Sequence, residues 1–220
     1  MRRLRGVILD IDGTLLDSND AHANAWKSSL EKHGHIFSFE EVRRCIGMGA
    51  DQLLPALVGI ESDSEAGKAI IKERGRIFQH DSLADLKAFP EAKEMVEEFS
   101  NLGLKICVAT SSNQKDLKSF LKIIGIESWI DIAVTSDEVS KSKPAPDLIL
   151  AALEKSGLAA GECVMIGDTP YDIRAAKEAG VHTVAFRCGG WGDQSLSGAS
   201  EIYGGPADLR KNLSHSLIFS

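Results

Sequence analysis

The segment Val7-Ile8-Leu9-Asp10-Ile11-Asp12-Gly13-Thr14 runs an apolar stretch straight into two aspartates and a glycine. Alternation along an extended chain sets Asp10 and Asp12 on one side, and in a parallel sheet ligands gather at the carboxyl ends of the strands. Alone, the pair could simply shape a turn. Three later segments carry related groups. Thr110-Ser111-Ser112 closes the apolar run Ile106-Cys107-Val108-Ala109, Lys143-Pro144 follows a third run, and Gly167-Asp168-Thr169-Pro170-Tyr171-Asp172 closes a fourth. Singly, Thr110 suits a helix cap, Lys143 a solvated surface and Asp168 a turn. Together, in this order, they bring carboxylates, a hydroxyl and a cation to one sheet edge. Such a set can hold a divalent metal and a phosphate beside a nucleophile.

The elements that must position these groups are legible as short Val- and Ile-rich runs at 6–9, 104–109, 130–134, 163–166 and 181–186, read as buried parallel strands. Helical patterns at 91–102, 114–124, 146–156 and 171–179 separate the later runs and stop on Gly103, Gly125, Gly157 and Gly180. This alternation predicts an α/β fold with a doubly wound parallel sheet. After the first strand, about seventy mostly helical residues precede the next, far more than a crossover needs. An inserted helical cap domain over 17–87 is expected, leaving 1–16 and 88–220 as the core, with hinges around Asp17 and Phe89-Pro90. Within the cap, helices are expected at 20–33, after a Ser38/Glu41 capping box, at 51–58 and at 64–78. Pro206 should open a last short helix.

Composition narrows the classes further. The 220 residues, 43% hydrophobic and 26% charged, describe a globular chain that can bury a core without disulfides or metals. No run is long enough to span a membrane, and the basic start Met1-Arg2-Arg3-Leu4-Arg5 lacks the apolar stretch of a signal peptide, so a cytoplasmic location is expected. Lysine and arginine number 25 against 32 acidic residues, for a net charge of -7; nucleic acid is not an expected partner. Cys45, Cys107, Cys163 and Cys188 are too dispersed for a redox pair or zinc ribbon. Neither composition nor pattern decides between monomer and homodimer.

D-x-D-G-T at 10–14, the Thr110 segment, Lys143 and G-D-x-x-x-D at 167–172 together resemble the haloacid dehalogenase-like hydrolase superfamily, over essentially the whole chain. The insertion is similar to the helical cap of its phosphoglycolate phosphatase and β-phosphoglucomutase branch. The resemblance implies a phosphatase acting on a small phosphorylated metabolite, with a phosphomutase as the alternative and a non-catalytic binding module behind both. It implies Asp10 as the nucleophile that takes the phosphoryl group and Asp12 as the acid/base at the leaving oxygen. It implies Mg²⁺ held by Asp10, the Asp12 backbone carbonyl and Asp168. Thr110 and Ser111 would bind phosphate, Lys143 would offset its charge, and Asp172 would orient Lys143 or a metal-bound water. Dehalogenases carry an aromatic hydroxyl residue where Asp12 stands, so Asp12 favours phosphate esters. A metal on Asp10 would favour its charged form and leave Asp12 able to keep a proton near neutral pH.

In the cap, His22 and Trp26 share a helix face, and the Ala25-Trp26-Lys27 pattern is similar to the mutase branch. His22 would face substrate or serve as a satisfied neighbour of a Trp26 core. The Ile46-Gly47-Met48-Gly49-Ala50 loop should face the core, with Gly47 and Gly49 near substrate; Ala50 stands where sugar-phosphate mutases carry a phosphate-binding arginine. The segment Arg187-Cys188-Gly189-Gly190-Trp191 resembles one in a group of phosphatase-like members and reads as a flexible connector, with Arg187 and Cys188 as specificity candidates.

Overall fold

The apolar runs assemble into one sheet whose carboxyl edge carries the predicted groups. The computed structural model describes residues 4–219, so Met1, Arg2 and Arg3 of the basic start lie outside the described residues. In chain order, β1 (Gly6–Leu9) and β2 (Leu16–Asp17) lead into α1 (Asn19–Lys32), α2 (Phe39–Arg43), α3 (Ala50–Val58), α4 (Glu65–Asp81) and β3 (Lys87–Ala88). Then come α5 (Ala92–Asn101), β4 (Lys105–Ala109), α6 (Gln114–Ile124), β5 (Ile132–Val134), α7 (Asp147–Ser156) and β6 (Cys163–Gly167). The chain continues through α8 (Pro170–Glu178), β7 (His182–Phe186), α9 (Asp193–Leu196), β8 (Glu201–Tyr203) and α10 (Pro206–Asn212).

Six strands pair in parallel in the order β5-β4-β1-β6-β7-β8. Strand β1 sits inside and is buried along its length, as a continuous Val-Ile-Leu run requires when helices cover both faces. Val7 and Leu9 pack with Met95 and Phe99 of α5 and Phe120 of α6, while Ile8 packs with Leu148 of α7 and Ala175 of α8. The expected strands are present within two residues of their predicted ends, and the edge strand β8 extends the sheet beyond them. Gly103, Gly125, Gly157 and Gly180 all adopt the positive φ of a helix stop.

The four helices between β2 and β3 enclose a core of their own around Trp26, Leu30, Leu53, Leu54 and Ile70. Ser38 and Glu41 form the expected capping box at the start of α2. Helix α4 runs three residues past its expected end, to Asp81. Where the chain leaves and re-enters the core, β2 and β3 pair antiparallel, Leu16 with Ala88 and Asp17 with Lys87. Both crossings are thus tied in one short ribbon. All four cysteines are unpaired, with Cys107 and Cys163 buried. Among the described residues, no helix is long and apolar enough to cross a membrane.

Candidate active site

Asp10 continues the β1 ladder by one bond, its N–H donating to Ile166 O at 2.9 Å, and Thr110 does the same beyond β4 toward Val134 O at 3.1 Å. The sheet therefore delivers both side chains to its carboxyl edge with almost no backbone freedom. Gly13 turns the chain away at φ 77°, where a Cβ would overlap Asn19 and the Asp168 carboxylate. Thr14 uses its hydroxyl to donate to Asp168 Oδ1 at 3.0 Å and, more weakly, to Asp10 Oδ2 at 3.4 Å.

Lys143 is buried to 1% exposure, with Nζ 2.6 Å from Asp10 Oδ1 and 2.7 Å from Asp172 Oδ1. Burial alone would lower its pKa, but the two carboxylates hold it above the ordinary lysine value. Asp172 works twice, because its Oδ2 also accepts from Thr169 N and Oγ1 in the capping box that starts α8. Asp168 accepts from Asn19 Nδ2 at 2.9 Å, and that amide also donates to Gly189 O at 3.1 Å. Gly189 lies so close that a Cβ would overlap the Asp168 carboxylate.

Asp10, Asp168 and Asp172 each offer an oxygen within 4.8 Å of the others, all buried. Burial, Asp172 and Asp12 push the Asp10 pKa up to about 7 despite Lys143. Burial and the same kind of neighbours raise Asp168 well above the usual carboxylate range. When ionised, the three buried carboxylates outnumber the one lysine, their donors are hard oxygens, and Asn19 Oδ1 is buried without a hydrogen-bond partner. These residues fit a small divalent cation such as Mg²⁺.

Asp12 turns its side chain to the cap instead. Its Oδ1 accepts from Ser18 Oγ at 2.6 Å and meets His22 Nε2 at 2.7 Å, and its Oδ2 accepts from Ser112 Oγ at 2.7 Å. Burial works against its charge, but the imidazole and two hydroxyls hold the carboxyl well below the usual range. In the metal-free chain these contacts favour ionised Asp12, whereas a proton near neutral pH was expected with a metal on Asp10. Among the groups that lower its pKa, His22, arriving from α1, acts most strongly. His22 stacks on Phe78 with ring centroids 4.2 Å apart, and Nδ1 contacts the Arg74 guanidinium. A guanidinium can only donate, so Nδ1 accepts and Nε2–H is directed at Asp12.

The cap loop faces the core as expected. Ser111 Oγ donates to Gly47 O at 3.2 Å, Ser142 N donates to Asp51 Oδ2 at 2.9 Å beside Lys143, and Tyr171 OH donates to Arg44 O. Gly47 packs against Thr169 and Gly49 against Ser142. Between cap and sheet edge lies a cavity of about 490 Å³ lined by Asp10, Asp12, His22, Thr110, Ser111 and Gly47, among others. Gly49 is not among the lining residues, although Met48 and Ala50 beside it are. Thr110 caps no helix, since Asn113 caps α6. The glycine-rich loop is no slack connector, because Gly189 O takes bonds from Asn19 and Arg43. Neither Arg187, paired with Asp193, nor Cys188, whose Sγ faces Gly13 O at 3.4 Å, lines the cavity. Asn19, Ser18, Ser112 and Arg74 join the site unanticipated by the sequence.

The sequence and the fold have counterparts in known proteins. A relative from Caldanaerobacter subterraneus subsp. tengcongensis that carries the pyrophosphatase name PpaX is 30% identical over 189 residues, covering 84% of this chain and 82% of its own. A crystal structure of a hydrolase from Pseudomonas syringae superposes with a TM-score of 0.90 at 31% identity, covering 96% of this chain and 98% of that one. A Bacteroides vulgatus protein carrying a beta-phosphoglucomutase name superposes with a TM-score of 0.86 at 26% identity, covering 96% and 88%. The family model for haloacid dehalogenase-like hydrolases matches residues 7–186, from within β1 to the end of β7, and the chain belongs to that family.

Proposed function

We propose that the chain is a Mg²⁺-dependent phosphatase of a small phosphorylated metabolite, acting through a phosphoryl group carried on Asp10. The observation that carries this reading is the Asp10 carboxylate, fixed between Lys143 and the Asp168/Asp172 pair at a cavity floor while Asp12 stands across from it on separate partners. Asp10, Asp168 and the Asp12 backbone carbonyl would hold the metal, which when bound neutralises charge on the transferring phosphoryl group. An Asp10 oxygen attacks phosphorus, the bond to the leaving oxygen breaks, and protonated Asp12 gives that oxygen its proton. Water then attacks the phosphorus of the aspartyl phosphate, Asp12 takes a proton from it, and Asp10 is released with phosphate. Ionised Asp12, held by His22, Ser18 and Ser112, suits the second step and is recharged by it for the next cycle. Lys143 offsets charge on Asp10 throughout, and Thr110 and Ser111 border the phosphate at the cavity wall. The cap contacts at Ser111, Ser142 and Asp12 close these groups off from bulk water.

Inorganic phosphate release from a panel of phosphomonoesters, with Mg²⁺ and with chelator, tests the reading. Metal-dependent release is expected; interconversion of phosphosugar isomers without phosphate release would make the chain a mutase instead. Ala50, without the arginine found there in sugar-phosphate mutases, favours hydrolysis.

Asn19 positions Asp168 from the first turn of α1. Replacing Asn19 by alanine should weaken Mg²⁺ affinity by about 10- to 100-fold, as loss of a group orienting a metal ligand does. Calorimetric titration with Mg²⁺ measures this, and native affinity in the variant would remove that role.

A further inference from the structure

We infer that the ester accepted here has a neutral, hydroxylated alcohol portion and carries no second phosphate or carboxylate. This rests on the phosphatase reading and narrows it. The lining of the cavity supports it. Beyond Asp10 and Asp12, three more carboxylates face the space, from Asp51 in α3, Asp63 ahead of α4 and Asp137 beyond β5. Among the described lining residues, Arg74 is the one lysine or arginine, and it is already committed. One guanidinium nitrogen contacts His22 Nδ1, and NH1 lies 3.7 Å from Asp116 Oδ2. The guanidinium carbon sits 5.5 Å from the Trp26 ring centre and 5.0 Å from that of Phe78. Arg74 Nε–H is buried without a partner and so is not offered to the cavity. Asp116 balances the charge of Arg74, so no free cation remains for a second anionic group.

The first phosphate has Lys143 and the metal cage at the floor. A second phosphate in a cavity of this size would lie within about one screening length, roughly 8 Å, of the wall carboxylates. Like charges brought together this way act as a filter against the wrong ligand. Ser62, Ser136 and Ser140 also line the space and can both give and accept hydrogen bonds, as hydroxyl groups of a substrate require. The chain thereby differs in expected substrate from a pyrophosphatase and from a mutase, which must hold a bisphosphate in its cycle.

The test compares a hexose monophosphate, the matching hexose bisphosphate, 2-phosphoglycolate and pyrophosphate on the full chain with Mg²⁺. kcat/KM for the monophosphate should exceed each of the others by at least about tenfold, and the gap should shrink as ionic strength rises. Charge reversal at the wall, Asp63→Lys with Asp137→Lys, should narrow the gap by favouring the doubly anionic compounds. Pyrophosphate or the bisphosphate turned over as well as the monophosphate would overturn the inference. Calorimetric binding of the same four compounds to Asp10→Asn separates it from the phosphatase reading. Absence of turnover by the native chain, with the monophosphate still bound tightest by Asp10→Asn, would remove the phosphatase and keep the filter. Equal or tighter binding of a doubly anionic compound, or no binding of the monophosphate, would remove the filter.

Discussion

Asp10→Asn should lower phosphate release by at least about 10⁴-fold while leaving a fully folded protein. The amide keeps the shape and can still face Lys143 Nζ and Thr14 Oγ1, but it lacks the anionic oxygen that attacks phosphorus. The stability of the variant is as informative as its rate. Folding raises the Asp10 pKa from 3.8 to about 7, burial first and neighbouring carboxylates next. A carboxyl whose pKa is raised on folding is carried at a cost once ionised, and that cost builds as pH climbs from 3.8 to about 7. A neutral amide escapes it. In chelator at pH 8, the unfolding midpoint of Asp10→Asn should therefore equal or exceed the native one, and the difference should vanish near pH 3. Thermal unfolding at the two pH values checks this; a variant markedly less stable at pH 8 would contradict the electrostatic account of the cage.

Lys143→Met should damage both folding and chemistry. The lysine is 1% exposed and ion-paired to Asp10 and Asp172, with Asp168 in the same cage. A methionine of similar volume fills the space and leaves the carboxylates without their cation. Breaking a buried pair in this way costs about 3–5 kcal/mol, or roughly 6–20 °C in unfolding midpoint for a domain of this size. Added Mg²⁺ should restore part of the loss, because it supplies positive charge to the same oxygens. Activity should fall by at least about 10²- to 10³-fold with metal present, as when a charge-stabilising donor is removed. An unchanged midpoint in chelator would show that Lys143 does not balance the cage.

The sequence revealed the strand ends because a buried parallel strand is a continuous apolar run, and an aspartate or threonine directly after one must emerge at the carboxyl edge. The helical insertion between β2 and β3 was legible from length, since seventy helical residues exceed any crossover. Strand β8 was hidden: Glu201-Ile202-Tyr203 is short, half-buried and set among glycine and serine. The β2–β3 ribbon, two residues a side, shows no periodicity at all. Arg74 left a readable sign, since it lies four residues from both Ile70 and Phe78, a charge on the buried stripe of α4. Asn19, three residues before His22 on α1, shares its helical face in the same way. Their partners were not readable. Asn19 meets Asp168 149 positions away, a contact set by how the cap rests on the sheet edge, and Ser112 meets Asp12 100 positions away, where the loops after β1 and β4 come together. The partners that favour ionised Asp12 in the metal-free chain were hidden for a related reason, because one of them depends on where the cap places His22.

The central claim is that Asp10 carries the phosphoryl group. Its most direct test mixes the native chain with a phosphomonoester it hydrolyses and Mg²⁺, quenches in acid during turnover, and maps the peptides by mass spectrometry. A phosphoryl adduct on Asp10, absent when chelator replaces Mg²⁺, is the predicted result. Steady phosphate release with Asp10 unmodified at every quench time, including those within the first turnover, would contradict the account.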